Sequence, residues 1–371
     1  MARRTLITGG AGFIGAHLAA ELLEAGEQVR VLDVLHPQVH PSGERPDYLP
    51  DDVELLVADV RDPEAVRRAL AGVDRVAHLA ARVGVGQSMY EISEYTSVNA
   101  VGTGVLLEAL AESPVEQLVV ASSMSVYGEG LYLDDAGRPV PARARRRADL
   151  EQGRWDPVGS AGQVLTPVPT GEDKPPTLSS VYALGKYDQE RLCLMAGEAY
   201  GIPAVALRFF NAYGPYQALS NPYTGVLAIF SSRLLNDRPP LLFEDGEQQR
   251  DFVSVHDVAR ACALALSAGE AAAGEVLNVG SGQSITVNEI AAQLGAILDK
   301  DIAPQVTGSF RVGDIRHCFA DVSRAEQVLG YAPQVPLEKG LTELAGWLEG
   351  QVAVDGVDAA TAELTRRGLA G

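Results

Sequence analysis

A glycine-rich turn between an apolar strand and a helix constrains the fold of this chain more than any other feature. The run Thr5-Leu-Ile-Thr8 is followed by Gly9-Gly-Ala-Gly-Phe-Ile-Gly15 and then by a helical pattern. In such a turn Gly9 allows the tight bend, Gly12 lets the backbone approach a pyrophosphate, and Gly15 lets the helix pack on the strand. The helix N-terminus offers free N–H groups and a positive dipole end to phosphate oxygens. The sequence therefore predicts a dinucleotide site here.

An acid at the end of the next apolar run indicates which dinucleotide is bound. Gln28-Val-Arg-Val-Leu-Asp33 reads as a second strand, and Asp33 follows Gly15 by 18 residues. A carboxylate at that place accepts hydrogen bonds from ribose hydroxyls and repels a 2′-phosphate. The sequence thus favours NAD over NADP, although a solvated strand end would show the same residue.

Further apolar runs continue an alternation of strand and helix. They span residues 53–58, 75–81, 117–123 and 204–208. Such alternation predicts an α/β fold with a doubly wound parallel sheet. Ligands of these sheets lie outside the carboxyl ends of the strands, where Ser122 and Ser123 end the fifth run. His78, inside the fourth run, is expected to be a hydrogen-bonded core residue rather than a catalyst.

A tyrosine and a lysine four residues apart open a later helical pattern. They stand in Ser180-Val-Tyr-Ala-Leu-Gly-Lys186, so Tyr182 and Lys186 share one helical face. An ammonium beside a phenol stabilises the phenolate and lowers its pKa toward neutral pH. Such a tyrosine can take a proton from an alcohol while a hydride leaves the same carbon. The spacing alone is common, so its weight comes from the dinucleotide turn upstream.

Together these motifs resemble the extended short-chain dehydrogenase/reductases, specifically the NAD-dependent nucleotide-sugar epimerase/dehydratase family. The resemblance runs in order from residue 4 to about 348. The stretches that carry it are Thr8-Gly-Gly-Ala-Gly-Phe-Ile-Gly15, Asp33, Asp59-Val60, His78-Leu-Ala-Ala81, Asn99, Ser122-Ser-Met-Ser-Val-Tyr-Gly128, Tyr182-x-x-x-Lys186, Arg208-Phe-Phe-Asn-Ala-Tyr-Gly-Pro215, Gln249-Arg-Asp-Phe-Val-Ser-Val-His-Asp257, Leu277-Asn-Val-Gly-Ser-Gly282 and Arg311-Val-Gly-Asp314.

The resemblance implies roles for individual residues. Tyr182 is the base and acid, Lys186 holds the nicotinamide ribose and tunes Tyr182, and Ser123 relays the proton. The implied NAD-binding residues are Gly9, Gly12, Phe13, Ile14, Gly15, Asp33, Asp59, Val60, Leu79, Ala80, Ala81, Asn99, Ser122, Tyr182 and Lys186. The implied substrate-binding residues are Ser125, Asn211, Arg250, Arg311 and Asp314, with both arginines on the diphosphate of a dTDP- or UDP-linked sugar.

The overall charge agrees with arginines as the diphosphate ligands. The chain carries a formal net charge of −19, so its bulk field repels a diphosphate. Binding then depends on locally placed guanidinium groups, which hold phosphate oxygens bidentately. An ordinary surface ion pair remains the alternative for Arg250 and Arg311.

The residues after the fifth strand separate related chemistries. Dehydratases of this group carry an Asp-Glu pair where this chain has Met124 and Ser125, decarboxylases keep a glutamate at the Ser125 position, and 3,5-epimerising members place a cysteine there. The remaining set of Ser, Tyr, Lys and NAD is typical of a C4 epimerase, which oxidises C4 to a 4-keto sugar and reduces it again on the opposite face. An NAD(P)H-dependent 4-ketoreductase or dehydrogenase would use the same residues. An inactive NAD-binding regulator is disfavoured because Tyr182 and Lys186 are both kept.

Within the epimerases the chain resembles the dTDP-L-rhamnose 4-epimerase and UDP-sugar 4-epimerase types. The stretches that suggest this are Val83-Gly-Val-Gly-Gln-Ser-Met-Tyr-Glu-Ile92, Ser220-Asn-Pro-Tyr-Thr-Gly225 and Gly313-Asp-Ile-Arg-His-Cys-Phe-Ala-Asp321. The sequence does not decide which sugar or nucleotide is bound.

We expect a Rossmann-type NAD-binding domain at 1–210 and a smaller mixed α/β sugar-nucleotide lobe at 211–371. An insertion at about 131–177 interrupts the first, and elements at about 250–275 return to it. The insertion shows no periodicity and reads as a solvated surface loop, or alternatively as a lid over the sugar whose arginine run at 142–147 meets an anion. It holds no cysteine, so no metal is expected. The segment 355–371 reads as a helix without an assigned role.

Composition excludes several other classes of function. No apolar run is long enough to span a membrane, and no signal peptide opens the sequence. The acidic balance opposes nucleic-acid binding. Three isolated cysteines suit a reducing cytoplasm. By resemblance a homodimer is expected, through helices near 92–111 and 180–200.

Overall fold

The computed structural model describes residues 2–140, 142, 145–223, 225–311 and 313–371. The strands of these residues, in chain order, are β1 (Arg4–Thr8), β2 (Gln28–Asp33), β3 (Glu54–Val57), β4 (Arg75–His78), β5 (Gln117–Ser123), β6 (Leu131–Leu133), β7 (Pro139–Val140), β8 (Thr166–Val168), β9 (Ala204–Phe209), β10 (Asn211–Tyr213), β11 (Leu241–Leu242), β12 (Gln249–Arg250), β13 (Phe252–Ser254), β14 (Val276–Val279), β15 (Ile285–Thr286), β16 (Gln305–Val306) and β17 (His317–Cys318).

The helices alternate with the longer strands. The α-helices of the described residues are α1 (Phe13–Glu24), α2 (Pro63–Leu70), α3 (Val85–Ser88), α4 (Ile92–Thr96), α5 (Gly102–Glu112), α6 (Arg147–Leu150), α7 (Val181–Tyr200), α8 (Val226–Leu235), α9 (Val255–Ser267), α10 (Val287–Ile297), α11 (Ser323–Leu329), α12 (Leu337–Leu348) and α13 (Val357–Arg366). A π-helical turn, Ser97–Val101, joins α4 to α5, and a 3₁₀ turn, Met124–Tyr127, follows β5.

A seven-stranded parallel sheet organises the molecule, in the order β14-β9-β5-β4-β1-β2-β3. Alternate residues of each strand face two separate apolar layers. Ile7 and Val119 face the layer that includes α1 and α9, whereas Leu6 and Val120 face the layer that includes α2, α5 and α7. Burying each such side chain contributes about 1.5–3 kcal/mol. The predicted doubly wound α/β fold is confirmed.

One predicted strand has a different place in the fold. The run Glu275-Val-Leu-Asn-Val279 lies within 211–371, the range expected from sequence to form the smaller lobe. In the structure β14 pairs with β9 at the edge of the main sheet, with Leu277 opposite Leu207. The strand is short and partly apolar on both faces, so its pattern does not say which sheet it joins.

The smaller lobe packs helices α8, α10 and α12 around its own apolar cluster, which includes Phe230, Leu294 and Leu344. Two small sheets connect it to the site. In one, β10 pairs with β13. In the other, β12 lies between β15 and β17, so that Arg250 is paired with Cys318. These pairings place β10 and β12 near the carboxyl edge of the main sheet.

The insertion is not a solvated loop, so that interpretation is wrong. Within its described residues, β6 pairs with both β7 and β8 in a small antiparallel sheet. Thr170 is fully buried and lies opposite Ala320 in a parallel bridge, donating to the Phe319 carbonyl and accepting from Asp321 N–H. Gly130 N–H also donates to the His317 carbonyl at 2.8 Å. The insertion is therefore docked on the strand region that leads into the smaller lobe. Arg143, within its arginine run, lies outside the described residues.

The last segment of the chain crosses between the two parts of the molecule. In α13, Leu364 packs against Gly86, and just beyond that helix Arg367 lies over the ring of Tyr90 at 4.3 Å. The backbone of Gly371 then exchanges two hydrogen bonds, of 2.7 and 3.0 Å, with Phe310.

Across the described ranges, no helix is both long enough and apolar enough to cross a membrane.

Candidate active site

The glycine turn has the geometry that a dinucleotide needs. Gly9 has a φ of +69°, and a side chain there would strike the Ala80 backbone at 2.8 Å. A side chain at Gly15 would meet Gly10 Cα at 2.5 Å. Gly12 is the N-cap of α1 and has no side chain to occupy the first N–H groups, those of Phe13 and Ile14 among them. These groups are therefore available to a pyrophosphate.

Asp33 ends β2 beside this turn. One carboxylate oxygen accepts from Ala11 N–H at 3.0 Å, and the other accepts from Leu35 N–H at 2.9 Å. Since a carboxylate has about four lone-pair sites, acceptor capacity remains for ribose hydroxyls. Tyr48 closes over the turn from the following loop, because its hydroxyl donates to the Ala11 carbonyl at 3.1 Å.

The other predicted NAD residues lie at the ends of the neighbouring strands. Asp59 is paired with Arg61, which holds its pKa below the usual range, and Val60 is buried beside it. Ala80 borders Gly9 after β4, between Leu79 and Ala81. Asn99 is buried, accepts from Arg82 N–H at 2.7 Å and donates to the Arg82 carbonyl at 3.1 Å. These contacts fix the chain after β4.

Ser123 and Tyr182 come together at the carboxyl end of β5. Ser180 caps α7 by accepting from Ala183 N–H at 3.1 Å, and so sets where the helix that carries Tyr182 begins. The sequence predicts a Tyr182 pKa lowered toward neutral pH, but in the structure burial raises the pKa of Tyr182, and a hydrogen bond with Ser123 opposes that rise. Ser125, predicted as a substrate residue, donates its hydroxyl proton to Ser123 Oγ at 2.8 Å.

Lys186 lies one turn further along α7, fully enclosed. Its ammonium donates to Gln189 Oε1 at 2.7 Å, and burial lowers its pKa to about 8. Gln189 donates in turn to Thr103 Oγ1 at 3.0 Å and lies 3.2 Å from His78 Nε2. Burial lowers the pKa of His78 to about 3. His78 is therefore a neutral, hydrogen-bonded core residue, as expected.

Ser122 has a structural partner. Its hydroxyl donates to Glu190 Oε2 at 2.6 Å, and Glu190 is also held by two hydrogen bonds from Arg208, of 3.0 and 2.7 Å. The Arg208–Glu190 pair is itself buried. The side chain of Ser122 is thus engaged away from the cofactor edge, and its predicted contact with NAD would have to come from its backbone.

Asn211 and Arg250, two of the predicted substrate residues, are held by backbone carbonyls. Asn211 donates through its amide to the Asp251 carbonyl at 2.9 Å. Arg250 is mostly enclosed and donates to the Arg316 carbonyl at 3.0 Å and to the Ile315 carbonyl. The guanidinium of Arg250 is therefore oriented by backbone carbonyls.

Arg311 and Asp314 form a pair next to an aromatic ring. Arg311 donates through two nitrogens to Asp314 Oδ2, at 3.0 and 2.8 Å, and its guanidinium carbon lies 4.4 Å from the centroid of the Phe243 ring. Burial opposes ionisation of Asp314, but Arg311 and Arg250 together hold its pKa below the usual range. Two guanidinium groups thus stand around one carboxylate at the edge of the smaller lobe.

Sequence reasoning misses two residues that hold the catalytic helix. Gln189 supports Lys186, and its position three residues further along α7 on the same face was an available signal. Ser88, in α3, accepts a hydrogen bond from Tyr182 N–H at 3.0 Å. Nothing in the sequence marks Ser88, because the contact joins residues 94 positions apart.

Comparison with known proteins places this site in a family. A family model described as the NAD dependent epimerase/dehydratase family matches residues 5–146 and 158–280. The chain belongs to the NAD-dependent epimerase/dehydratase family. Membership confirms the predicted family, its NAD cofactor and an enzyme of the isomerase class.

A relative of named activity covers almost the whole chain. It is the dTDP-L-rhamnose 4-epimerase of Burkholderia thailandensis, 40% identical over 352 residues, which are 93% of this chain and 95% of that protein.

Two solved structures share the fold. The UDP-glucose 4-epimerase of Thermotoga maritima with UDP-glucose has 30% identity and a TM-score of 0.76, covering 94% of this chain and 99% of that chain. The UDP-glucose 4-epimerase of Thermus thermophilus in complex with NAD has 32% identity and a TM-score of 0.74, covering 94% of this chain and 100% of that chain.

The residues of this family member fit NAD. Gly9 and Gly15 leave no room for side chains where the turn approaches the sheet, and the first turn of α1 has no capping side chain. Asp33 lies within reach of that turn, as its bond to Ala11 N–H shows. In the described residues, no group of three or more His, Cys, Asp or Glu side chains could hold a metal ion.

Proposed function

We propose that the chain is a nucleotide-sugar C4 epimerase that retains NAD through turnover. The observation that supports this most directly is that Tyr182 is hydrogen-bonded with Ser123, while Lys186, one turn along the same helix, is linked through Gln189 to Ala80, which borders Gly9 of the dinucleotide turn. The residues next to Ser123 are Met124, which cannot transfer a proton, and Ser125, whose hydroxyl is used on Ser123. The proton chemistry is thus limited to one carbon, as reversible oxidation requires.

Tyr182 and Lys186 would carry the proton transfer. Tyr182 takes the proton of the sugar 4-hydroxyl and later returns one, with Ser123 as the hydrogen-bonding partner of its oxygen. The positive charge of Lys186 stabilises the phenolate, because electrostatic attraction is stronger in an enclosed setting of low dielectric constant. Bound NAD supplies the hydride acceptor and donor for C4.

The substrate would lie between the catalytic face and the smaller lobe. Arg250 and Arg311 are placed to bind the diphosphate, with Asn211, Ser125 and Asp314 as further polar contacts. Phe243 lies under Arg311 and fixes the plane of its guanidinium. Inversion requires the 4-keto sugar to turn about its diphosphate linkage, so a firm diphosphate grip and a loose sugar grip are both needed.

The comparisons support two candidate substrates. The 40% identity to a dTDP-L-rhamnose 4-epimerase supports a dTDP-linked 6-deoxy sugar as the substrate. Relatives named UDP-glucose 4-epimerase support a UDP-linked hexose as the second candidate. We carry both forward, with the first preferred.

A homodimer through α4, α5 and α7 is part of the proposal. Apolar side chains on this surface are exposed: Ile92 by 53%, Val101 by 54%, Leu184 by 54% and Met195 by 50%. Exposed apolar residues clustered on adjacent helices favour burial against a second copy. Sedimentation at micromolar concentration would test this. The buried thiols of Cys193, Cys262 and Cys318 support a cytoplasmic location.

One experiment separates an epimerase from a 4-ketoreductase. The purified protein is examined for co-purified NAD and then incubated with dTDP-L-rhamnose or UDP-glucose without added cofactor. Conversion to the C4 epimer supports the proposal. Conversion of a 4-keto sugar alone, with stoichiometric consumption of added NAD(P)H, would make the protein a reductase.

A further inference from the structure

Two buried arginines lie where the insertion meets the smaller lobe. The side chain of Arg145, from the insertion, is 6% exposed, and that of Arg316, just before β17, is 2% exposed. Such burial of charged groups is costly unless each is paired. Their partners therefore report what the interface is built to hold.

Arg145 donates hydrogen bonds to residues on both sides of this interface. It lies 2.6 Å from Glu244 Oε1 and 3.2 Å from Glu129 Oε1. It also donates to the Asp314 carbonyl at 2.7 Å and to the Trp155 carbonyl at 3.2 Å. With its donors satisfied in this way, Arg145 is a clamp on the segment at Asp314 and not a ligand for substrate.

Arg316 supplies a second link to the insertion. It donates to Asp156 of the insertion at 2.8 Å and to both oxygens of Asp245, at 2.6 and 2.9 Å. Its backbone N–H donates to Glu129 at 2.9 Å. Residues 314–316 are thus held at two points by the insertion and its first flank.

The clamped segment is the one that orients the predicted diphosphate arginines. Its carbonyls at Ile315 and Arg316 accept from Arg250, and the Asp314 carboxylate accepts from Arg311. The residue before Glu244 is Phe243, on which Arg311 lies. Arg145 therefore holds both neighbours of Arg311: it binds the backbone of Asp314, and it binds Glu244, the residue next to Phe243.

The charges around Arg145 bear on the binding of an anionic ligand. The cluster contains the carboxylates of Glu129, Asp156, Glu244 and Asp245, against the guanidinium groups of Arg145 and Arg316. Burial raises the pKa of Glu244, and Arg145 opposes that rise. Without Arg145, the segment would lose an anchor and the neighbourhood of a diphosphate would lose a positive charge.

We propose that Arg145 is a positioning residue that sets the diphosphate grip of this enzyme by fixing residues 314–316 and Phe243. The proposal rests on the proposed function, since it takes Arg250 and Arg311 as diphosphate ligands. It gives the insertion a role in binding, which is neither that of a solvated loop nor that of a mobile lid.

The test compares Arg145→Ala with Arg146→Ala in the full chain. Arg146 is the adjacent residue, 78% exposed and paired with Asp149, so it is a matched control. Binding of UDP, dTDP and the corresponding nucleosides is measured by calorimetry, and NAD content by extraction. We expect R145A to weaken nucleoside diphosphate binding about tenfold or more, with nucleoside affinity and NAD content unchanged. In turnover, KM should rise and kcat should change little.

The outcomes separate this inference from the proposed function. Should the unaltered protein bind neither UDP nor dTDP, the proposed function itself fails. Should it bind one of them and R145A bind it equally well, the positioning role is overturned and the function stands. If R145A does not fold, Arg145→Lys and Glu244→Gln, which keep the side-chain size, carry the same test. If both variants bind the nucleoside diphosphate as tightly as the unaltered protein does, the role of Arg145 is overturned.

Discussion

The ammonium of Lys186 donates a hydrogen bond to Gln189 Oε1 at 2.7 Å, one turn along the same helix. Gln189 is itself held by Thr103 and lies against His78, so Lys186, the residue proposed to tune Tyr182, is fixed by a buried polar network. Because burial lowers the pKa of Lys186 to about 8, the charge of this lysine is sensitive to small changes around it.

Substitution of Gln189 should move the alkaline limit of activity. Gln189→Met removes an acceptor of the charged form, so the pKa of Lys186 falls and activity is lost at a lower pH. Gln189→Glu places a carboxylate there, so the same pKa rises and the alkaline limb moves to higher pH. The profile of kcat against pH measures both. Shifts of the same sign in the two variants would contradict the assigned role.

Tyr182→Phe should abolish turnover and leave NAD bound. General acid–base catalysis by a positioned side chain contributes about 10²–10⁴-fold, so at least that loss in kcat is expected. The variant lacks only the phenolic hydroxyl, so the ring and the helix remain and the cofactor site is preserved. Tyr200→Phe, at an exposed position of the same helix, is the control and should keep full activity. Near-normal rates in Tyr182→Phe would mean that another group is the base.

Much of the main sheet could be predicted from the sequence because several of its strands, β4, β5 and β9 among them, are buried along their whole length. The run from Gln117 to Ser123 and the run from Gln28 to Asp33 are strands with the predicted ends. The apolar residues Leu118–Ala121 of the first run are consecutive, as expected for a strand covered on both faces, whereas Arg30 interrupts the apolar residues of the second. The glycine turn and the position of Asp33 followed from the same logic.

The structure of the insertion could not be predicted from the sequence, because its strands are short and its contacts are distant along the chain. Its strands β6, β7 and β8 have three residues or fewer, too short to show a period. Its buried charge Arg145 has partners 99 and 169 positions away along the chain, at Glu244 and Asp314. A single sequence holds no signal for such pairs, whereas Gln189 could have been found from its spacing to Lys186.

Asp33→Asn should weaken the preference for NAD. The amide keeps an oxygen that can accept from the backbone of the glycine turn, but it removes the charge that repels a 2′-phosphate. We expect extracted NAD to fall and binding of added NADP to become measurable by fluorescence. Asp47→Asn, at an exposed position of the following loop, should change neither. Unaltered selectivity in Asp33→Asn would place the discrimination elsewhere.

Arg208→Met should be strongly destabilising. It leaves Glu190 buried without its cation, and breaking such a pair costs about 3–5 kcal/mol in the free energy of unfolding. The double variant Arg208→Met/Glu190→Leu removes both charges and should recover much of that loss. Urea unfolding measures each value. Arg138→Met breaks the pair with Asp134 at a position where the arginine is largely exposed, and should leave the free energy of unfolding almost unchanged. Equal effects at the two sites would contradict the buried-pair argument.

His78 should make the fold sensitive to acid. Burial lowers the pKa of His78 to about 3, while an unfolded histidine titrates near its ordinary value of about 6.5. Above the ordinary value both states are neutral, and as pH falls below it only the unfolded state takes up this proton. Stability is therefore lost by up to about 1.4 kcal/mol per pH unit between roughly pH 6 and pH 4. His78→Gln cannot take up the proton, so its free energy of unfolding should depend on pH less steeply in that range than that of the unaltered protein. His256→Gln, at a more exposed position paired with Glu343, controls for the loss of a histidine at the surface. Parallel pH slopes for His78→Gln and the unaltered protein would show that His78 is protonated in the folded state or that the network opens before global unfolding.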